Sequence, residues 1–143
     1  CRLITPAAQV LDEPVTHASV PAWDGLFGVL PGRAPIVAKL GLGELRLEFP
    51  DKGSTRGGER SFLVEDGFVQ MVNDKLTILA AKAFATESLS VGDAERELAE
   101  AERRSVTEAE PSKRRIETER LSKDRARARA KVALARKASG RGI

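Results

Sequence analysis

The chain has 143 residues, of which 41% are hydrophobic and 31% charged, and its formal net charge is +3. That leaves room for one ordinary domain, or for a small domain with an appendage, and supplies enough apolar material for a core. Cys1 is the only cysteine, which excludes a disulfide-stapled scaffold and points to a reducing compartment, and no apolar run approaches the roughly 20 residues that span a bilayer. No signal-peptide pattern is present either, so any service to a membrane would be by docking on something embedded there.

Residues 1–86 read as many short strands. Segments 2–5, 9–12 and 15–20 are interrupted by Pro6, Pro14 and Pro21, which suits edges and turns rather than an unbroken ladder. Residues 22–35 then crowd glycines and prolines among large apolar side chains. Gly25, Gly28 and Gly32 free the backbone while Pro31 and Pro35 restrict it, so a rigid bent ribbon is expected, with Trp23, Phe27, Val29 and Leu30 filling space along its sides. Its glycines serve either a tight bulged turn alone or a docking tip, where Leu26, Phe27 and Leu30 would leave apolar surface for a partner.

Residues 36–40 form an apolar run, and in 44–49 Leu45, Leu47 and Phe49 alternate with Glu44, Arg46 and Glu48, one face in and one out. A solvated loop follows over 50–58. Segments 61–64, 68–72 and 75–80 complete the set, joined by Asp66-Gly67 and Asn73-Asp74, both suited to tight primed turns. About ten short strands in this length imply a flattened β-sandwich or barrel, since two sheets face to face bury what one cannot.

At Ser88 the pattern changes to helix, with the domain boundary placed between 87 and 88. Ser90 or Asp93 can cap a first helix over about 93–108, Pro111 stops it, and a second helix runs over about 112–138, giving an antiparallel hairpin. Large apolar residues are sparse there, at Ile116, Leu121, Val132 and Leu134, among many alanines. Charge shifts as well: residues 1–90 hold nine Lys and Arg against eleven Asp and Glu, residues 91–143 fifteen against ten. Lys113, Arg114, Arg115, Arg120, Lys123, Arg125, Arg127 and Arg129 make the second helix basic, either as a solvated face or as a surface for an acidic partner. Nucleic acid is the competing partner for such a helix, against which stand the absence of Tyr and the interruptions by Glu117, Glu119 and Asp124.

No catalytic constellation emerges. His17 stands without a second His or a cysteine pair, which leaves no metal site, and Ser61 and Ser90 lack a nucleophile-elbow context. Glu65 and Asp66 are better read as part of a turn ahead of Gly67 than as an acid–base pair.

The run Asp24-Gly25-x-Phe27-Gly28-Val29-Leu30-Pro31-Gly32-x-Ala34-Pro35 resembles the signature of the epsilon subunit of the F-type ATP synthase, called delta in mitochondria. Gly43-Glu44-Leu45-Arg46 and Val64-Glu65-Asp66-Gly67-Phe68-Val69-Gln70-Met71-Val72-Asn73-Asp74-Lys75-Leu76-Thr77-Ile78-Leu79-Ala80 are similar to that family's later strands in order and spacing. The resemblance implies a non-catalytic rotor subunit of the central stalk. Its sandwich would lie between the gamma subunit and the membrane-embedded ring of c subunits, docking through Trp23, Asp24, Gly25, Leu26, Phe27, Gly28, Leu30, Pro31, Gly32, Arg33 and Pro35. Its helical hairpin would fold down or extend toward the alpha and beta subunits, where the basic helix inhibits ATP hydrolysis. The setting implied is peripheral, on the cytoplasmic face of a bacterial plasma membrane, with membrane contact only through the ring. Two departures stand out. Arg33 replaces the family's usual His, and Gly92-Asp93-Ala94-Glu95-Arg96-Glu97 keeps the Asp and Arg of a nucleotide motif but not its flanking apolar residue or alanine. A weak ATP site at Asp93 and Arg96 is what remains of that motif; no metal and no other cofactor is implied.

Overall fold

Alternating apolar side chains on short extended segments are buried only when a second layer covers them. The computed structural model, which describes residues 1–141, meets this demand by folding one hydrogen-bonded sheet over on itself. Its strands are β1 (Arg2–Ile4), β2 (Gln9–Asp12), β3 (His17–Ala22), β4 (Gly25–Val29), β5 (Ile36–Lys39), β6 (Leu42–Glu48), β7 (Glu59–Val72) and β8 (Lys75–Ala85). They follow the order β2-β1-β8-β7-β6-β3-β4, and β5 pairs with β7 beyond the end of β6. Among these strands only β1 and β8 run parallel.

β7 and β8 show how one sheet makes two layers. In the first half of β7, Phe62 and Val64 face the core; in the second half, Val69 and Met71 do, so the inward parity has changed. β8 changes with it, from Leu76, Ile78 and Ala80 to Ala83 and Ala85. The register between the two strands does not slip, since Glu65 opposes Lys82 and Gly67 opposes Ala80. No residue has been inserted; the backbone itself turns over, at Asp66 (φ 56°) and Gly67 (φ 115°). A methyl group on Gly67 would lie 1.8 Å from the Leu79 carbonyl oxygen, so only glycine permits the two strands to meet at this corner. One layer is thus β2, β1, the first half of β8, the second half of β7, and β5. The other is the remaining halves of β7 and β8 with β6, β3 and β4.

This arrangement corrects the sequence reading at two points. Asp66-Gly67 is not a turn between separate strands but a corner inside β7, and both features demand the same positive φ from the same residue types. The strands number eight, against about ten expected, and the segments 61–64 and 68–72 that read as separate strands are the two halves of one continuous β7. Asn73 and Asp74, with φ of 51° and 60°, do form the tight β7–β8 turn.

The corner also anchors its neighbours. Leu40 N donates to Gly67 O at 2.9 Å and Asp66 N to Gly41 O at 3.3 Å, tying the β5–β6 link to the corner. That link in turn holds the root of the β3–β4 hairpin: Gly41 N donates to Pro21 O and Trp23 N to Lys39 O, each at 3.0 Å. Leu3, Val20, Leu45, Leu47, Val64 and Ile78 are wholly buried between the layers, each stabilising the fold by about 1.5–3 kcal/mol.

A second unit begins at Glu87. Ser90 caps α1 (Val91–Arg103), its hydroxyl accepting from Asp93 N, and α2 is Pro111–Arg141. Pro111 therefore opens the second helix, where its missing amide costs nothing, instead of stopping the first. The buried residues of the pair are small or few: Ala94 and Ala101 on α1, and Leu121, Ala128, Val132, Leu134 and Ala135 on α2.

Replacing Gly67 by Ala should lower the unfolding free energy by about 3 kcal/mol, from strained φ and a backbone clash together. Urea titration of the full chain checks this; a midpoint equal to that of wild type would mean the corner relaxes freely.

Candidate functional site

The ribbon is the β3–β4 hairpin and the loop after it. Strand pairing sets its sidedness: Phe27 opposes Val20 and Val29 opposes Ala18, which turns both toward the core. Leu26 lies on the other side, 70% exposed, and Trp23 at the hairpin tip is also 70% exposed. Leu30 comes next at 59%. Trp23 and Leu30 therefore project into solvent, contrary to their expected role as fillers along the ribbon; the core is already closed by Val29 and Phe27. Asp24, Gly25, Gly28, Pro31, Gly32 and Pro35 are exposed around them.

Polar contacts make this apolar tip rigid. Leu30-Pro31-Gly32-Arg33 forms a turn closed by Arg33 N donating to Leu30 O at 3.3 Å, with Gly32 at φ 81°, where a second central glycine is required. Arg33 bends back, Nη1 donating to Gly28 O at 2.8 Å and the guanidinium lying 5.5 Å from the centre of the Phe27 ring. It braces its own ribbon. Asp74, from the β7–β8 turn, accepts the Gly32 amide at 2.7 Å.

A second apolar surface lies outside the residues expected to dock. Val37, Phe68 and Leu79 are 70%, 57% and 49% exposed. Lys39 pairs with Phe68, Phe68 with Leu79, and Leu79 with Ile4, so these side chains share the outer face of one layer. The signal lay in the parity change after Gly67, which sends Phe68 outward while Val69 points in.

The basic residues of α2 separate into two sets. Lys113, Arg114, Arg115, Arg120, Lys123 and Arg129 are exposed, with Lys113 paired to Glu110 and Arg115 to Glu119, each at 3.3 Å. Arg125 and Arg127 instead work inside the helix pair. Arg125 Nε donates to Ala101 O at 3.0 Å and its Nη2 to Arg104 O at 2.6 Å, satisfying carbonyls that the end of α1 leaves open. Arg127 and Arg104 both hold Asp124, at 3.1 and 2.8 Å. On the loop, Glu117 accepts from Thr107 N and Glu108 N at 3.3 and 3.1 Å. Lys131 with Glu97 and Arg136 with Glu95 close the rest of the seam, at 3.0 and 2.7 Å.

Asp93 and Arg96 pair with each other on an exposed turn of α1. His17 faces Glu48 across β3 and β6, Nδ1 4.0 Å from Oε1. Among the described residues no three His, Cys, Asp or Glu side chains gather as metal ligands would.

The fold is thus a β-sandwich with a braced apolar loop, followed by a charged helix pair. Residues 1–86 match the family model for the β-sandwich domain of the ATP synthase delta/epsilon chain. The ATP synthase epsilon chain of Rhodopirellula baltica is 35% identical over 71% of this chain and 74% of its own length. Epsilon chain 2 of Syntrophotalea carbinolica is 31% identical over 92% of this chain and 90% of its own. In fold, a chain of the Euglena gracilis mitochondrial ATP synthase matches with a TM-score of 0.65 at 18% identity, over 96% of this chain and 78% of that one. A chain from the central stalk and c-ring of the Tetrahymena thermophila mitochondrial ATP synthase gives 0.60 at 16%, over 96% and 92%. The chain belongs to the delta/epsilon-chain family of the F-type ATP synthase, and it is a non-catalytic subunit of the central stalk, catalysis residing on other subunits. A nucleic-acid adaptor receives no support from these relatives.

The helix pair yields two tests. The Arg104 guanidinium, with Arg127 beside it, holds the Asp124 carboxyl below the usual carboxylate range. A depressed folded-state pKa contributes stability above the ordinary carboxyl range that is lost as pH falls through the folded value. Asp124→Asn should thus cost about 0.5–1 kcal/mol at neutral pH, and the gap to wild type should close as acid protonates the native carboxylate, followed by helix melting at 222 nm. Arg125→Ala should cost more, about 1.5–3 kcal/mol, because it leaves carbonyls open. Arg125→Lys should restore only part of that in the same melts, lacking the planar fork.

Proposed function

We propose that this subunit is a rigid coupling piece between gamma and the ring of c subunits, with the helix pair as a brake on ATP hydrolysis. The observation that carries the coupling role is the braced tip. Trp23 and Leu26 stand mostly exposed on a hairpin whose backbone is tied down on both sides, and a stiff apolar projection of that kind suits a partner surface. The tip meets the ring. Gamma is received by the other apolar surface of the sandwich, the outer face around Phe68, Leu79 and Val37. Contact with the membrane is made through the ring, on the cytoplasmic face of a bacterial plasma membrane; no described helix is long and apolar enough to cross one.

The brake is the exposed cationic set, Lys113, Arg114, Arg115, Arg120, Lys123 and Arg129, meeting acidic surface on the alpha and beta subunits when the pair swings upward. Such a change requires that the two positions differ in contact free energy. With Arg125 and Arg127 committed internally, they belong to the scaffold of the brake and not to its working face. Asp93 and Arg96 are the residues a regulatory nucleotide would meet, and it would have to displace their mutual ion pair.

In the reconstituted complex, Leu26→Asp should weaken attachment to the ring by about tenfold or more, since a buried unpaired carboxylate costs well over 1.4 kcal/mol. Attachment equal to wild type would remove the tip from the interface. Deleting residues 88–143 should leave assembly and synthesis in place while ATP hydrolysis rises; an unchanged hydrolysis rate would end the brake.

A further inference from the structure

Asp74 sits at the second central position of the β7–β8 turn with φ 60°, beside Asn73 at 51°. Glycine is the least strained residue for such a position, because a Cβ raises the energy of the left-handed region. What aspartate adds is a carboxylate, and its Oδ1 accepts the Gly32 amide at 2.7 Å across 42 positions of sequence. Gly32 is itself fixed at φ 81° inside the turn that carries Leu30 and Pro31. Below that turn lies a cleft of about 250 Å³ whose walls include Val15, Ala18, Val29, Met71 and Leu76. Leu30 is 59% exposed at its rim. An apolar side chain on an untied loop would gain by sinking into such a cleft, which would withdraw it from any partner.

We propose that Asp74 is a positioning residue of the docking loop: its carboxylate ties Gly32 so that residues 30–35 stand above the cleft and Leu30 remains presented. The role rests on the docking reading of the tip given for the coupling function. It accounts for the choice of a strained aspartate in a turn that glycine would fit with less cost.

The test uses the full chain with two variants, Asp74→Gly and Asp74→Asn. Glycine relieves the turn, so thermal stability should be unchanged or higher, and a change in exchange or attachment cannot then be put down to loss of fold. Hydrogen exchange at the Gly32 amide, followed by NMR, should accelerate by about tenfold or more in Asp74→Gly as the tie is lost. Attachment to the cognate assembly of gamma and c-ring should weaken about threefold to tenfold through lost preorganisation. Asp74→Asn keeps an acceptor oxygen and tolerates the backbone, so both readings should return near wild type. Wild-type exchange at Gly32 in Asp74→Gly would overturn the tie. Faster exchange with undiminished attachment, in an assembly that rejects Leu26→Asp, would overturn the positioning role. Should the wild-type chain itself fail to attach, the docking reading falls and takes the role of Asp74 with it, while the exchange rates separate that failure from absence of the tie.

Discussion

The approach of Gly67 to the Leu79 carbonyl, closer than any side chain allows, is the constraint on which the sandwich depends. It lets two paired strands exchange their inward and outward faces together without losing register. Because Leu40 and Gly41 are hydrogen-bonded to the same corner, and Pro21 and Trp23 to the segment around Gly41, the position of the hairpin tip is set by it. The hairpin and the loop after it are thus fixed at the root by backbone geometry and at the far end by Asp74 and Arg33.

The helix pair is held by a different kind of force. Its buried residues are mostly alanines, so polar groups at the open end contribute a larger share than in a leucine-rich pair. Arg125 takes the carbonyls at the end of α1 and Glu117 takes amides of the loop, one group for each sign of backbone dipole. Charge on α2 therefore divides by task, some of it closing the turn, some bridging to α1 along the seam, and the rest lying on the surface.

Much of this was legible in the sequence because the relevant residues act locally. Period-two alternation in β6, the Ser90 cap and the Asn73-Asp74 turn depend on neighbours a few positions away. Asp66-Gly67 reads as a turn because positive φ is all that sequence reports, and a corner and a hairpin turn ask for it equally. The sidedness of Trp23 and Leu30 was hidden as well, since it depends on which of several apolar residues the core has room for. Arg125 read as one more cation in a basic run; its partners lie on α1, at positions no spacing rule within α2 could indicate. The Asp74 contact, 42 residues from Gly32, was out of reach for the same reason.

β7 and β8 run unbroken through both layers. A load taken up on one face is therefore carried to the other along the covalent backbone, and not only across rows of hydrogen bonds. In engineering language the sandwich is laced by two continuous girders bent at a single joint, so its halves cannot slide apart while the backbone holds.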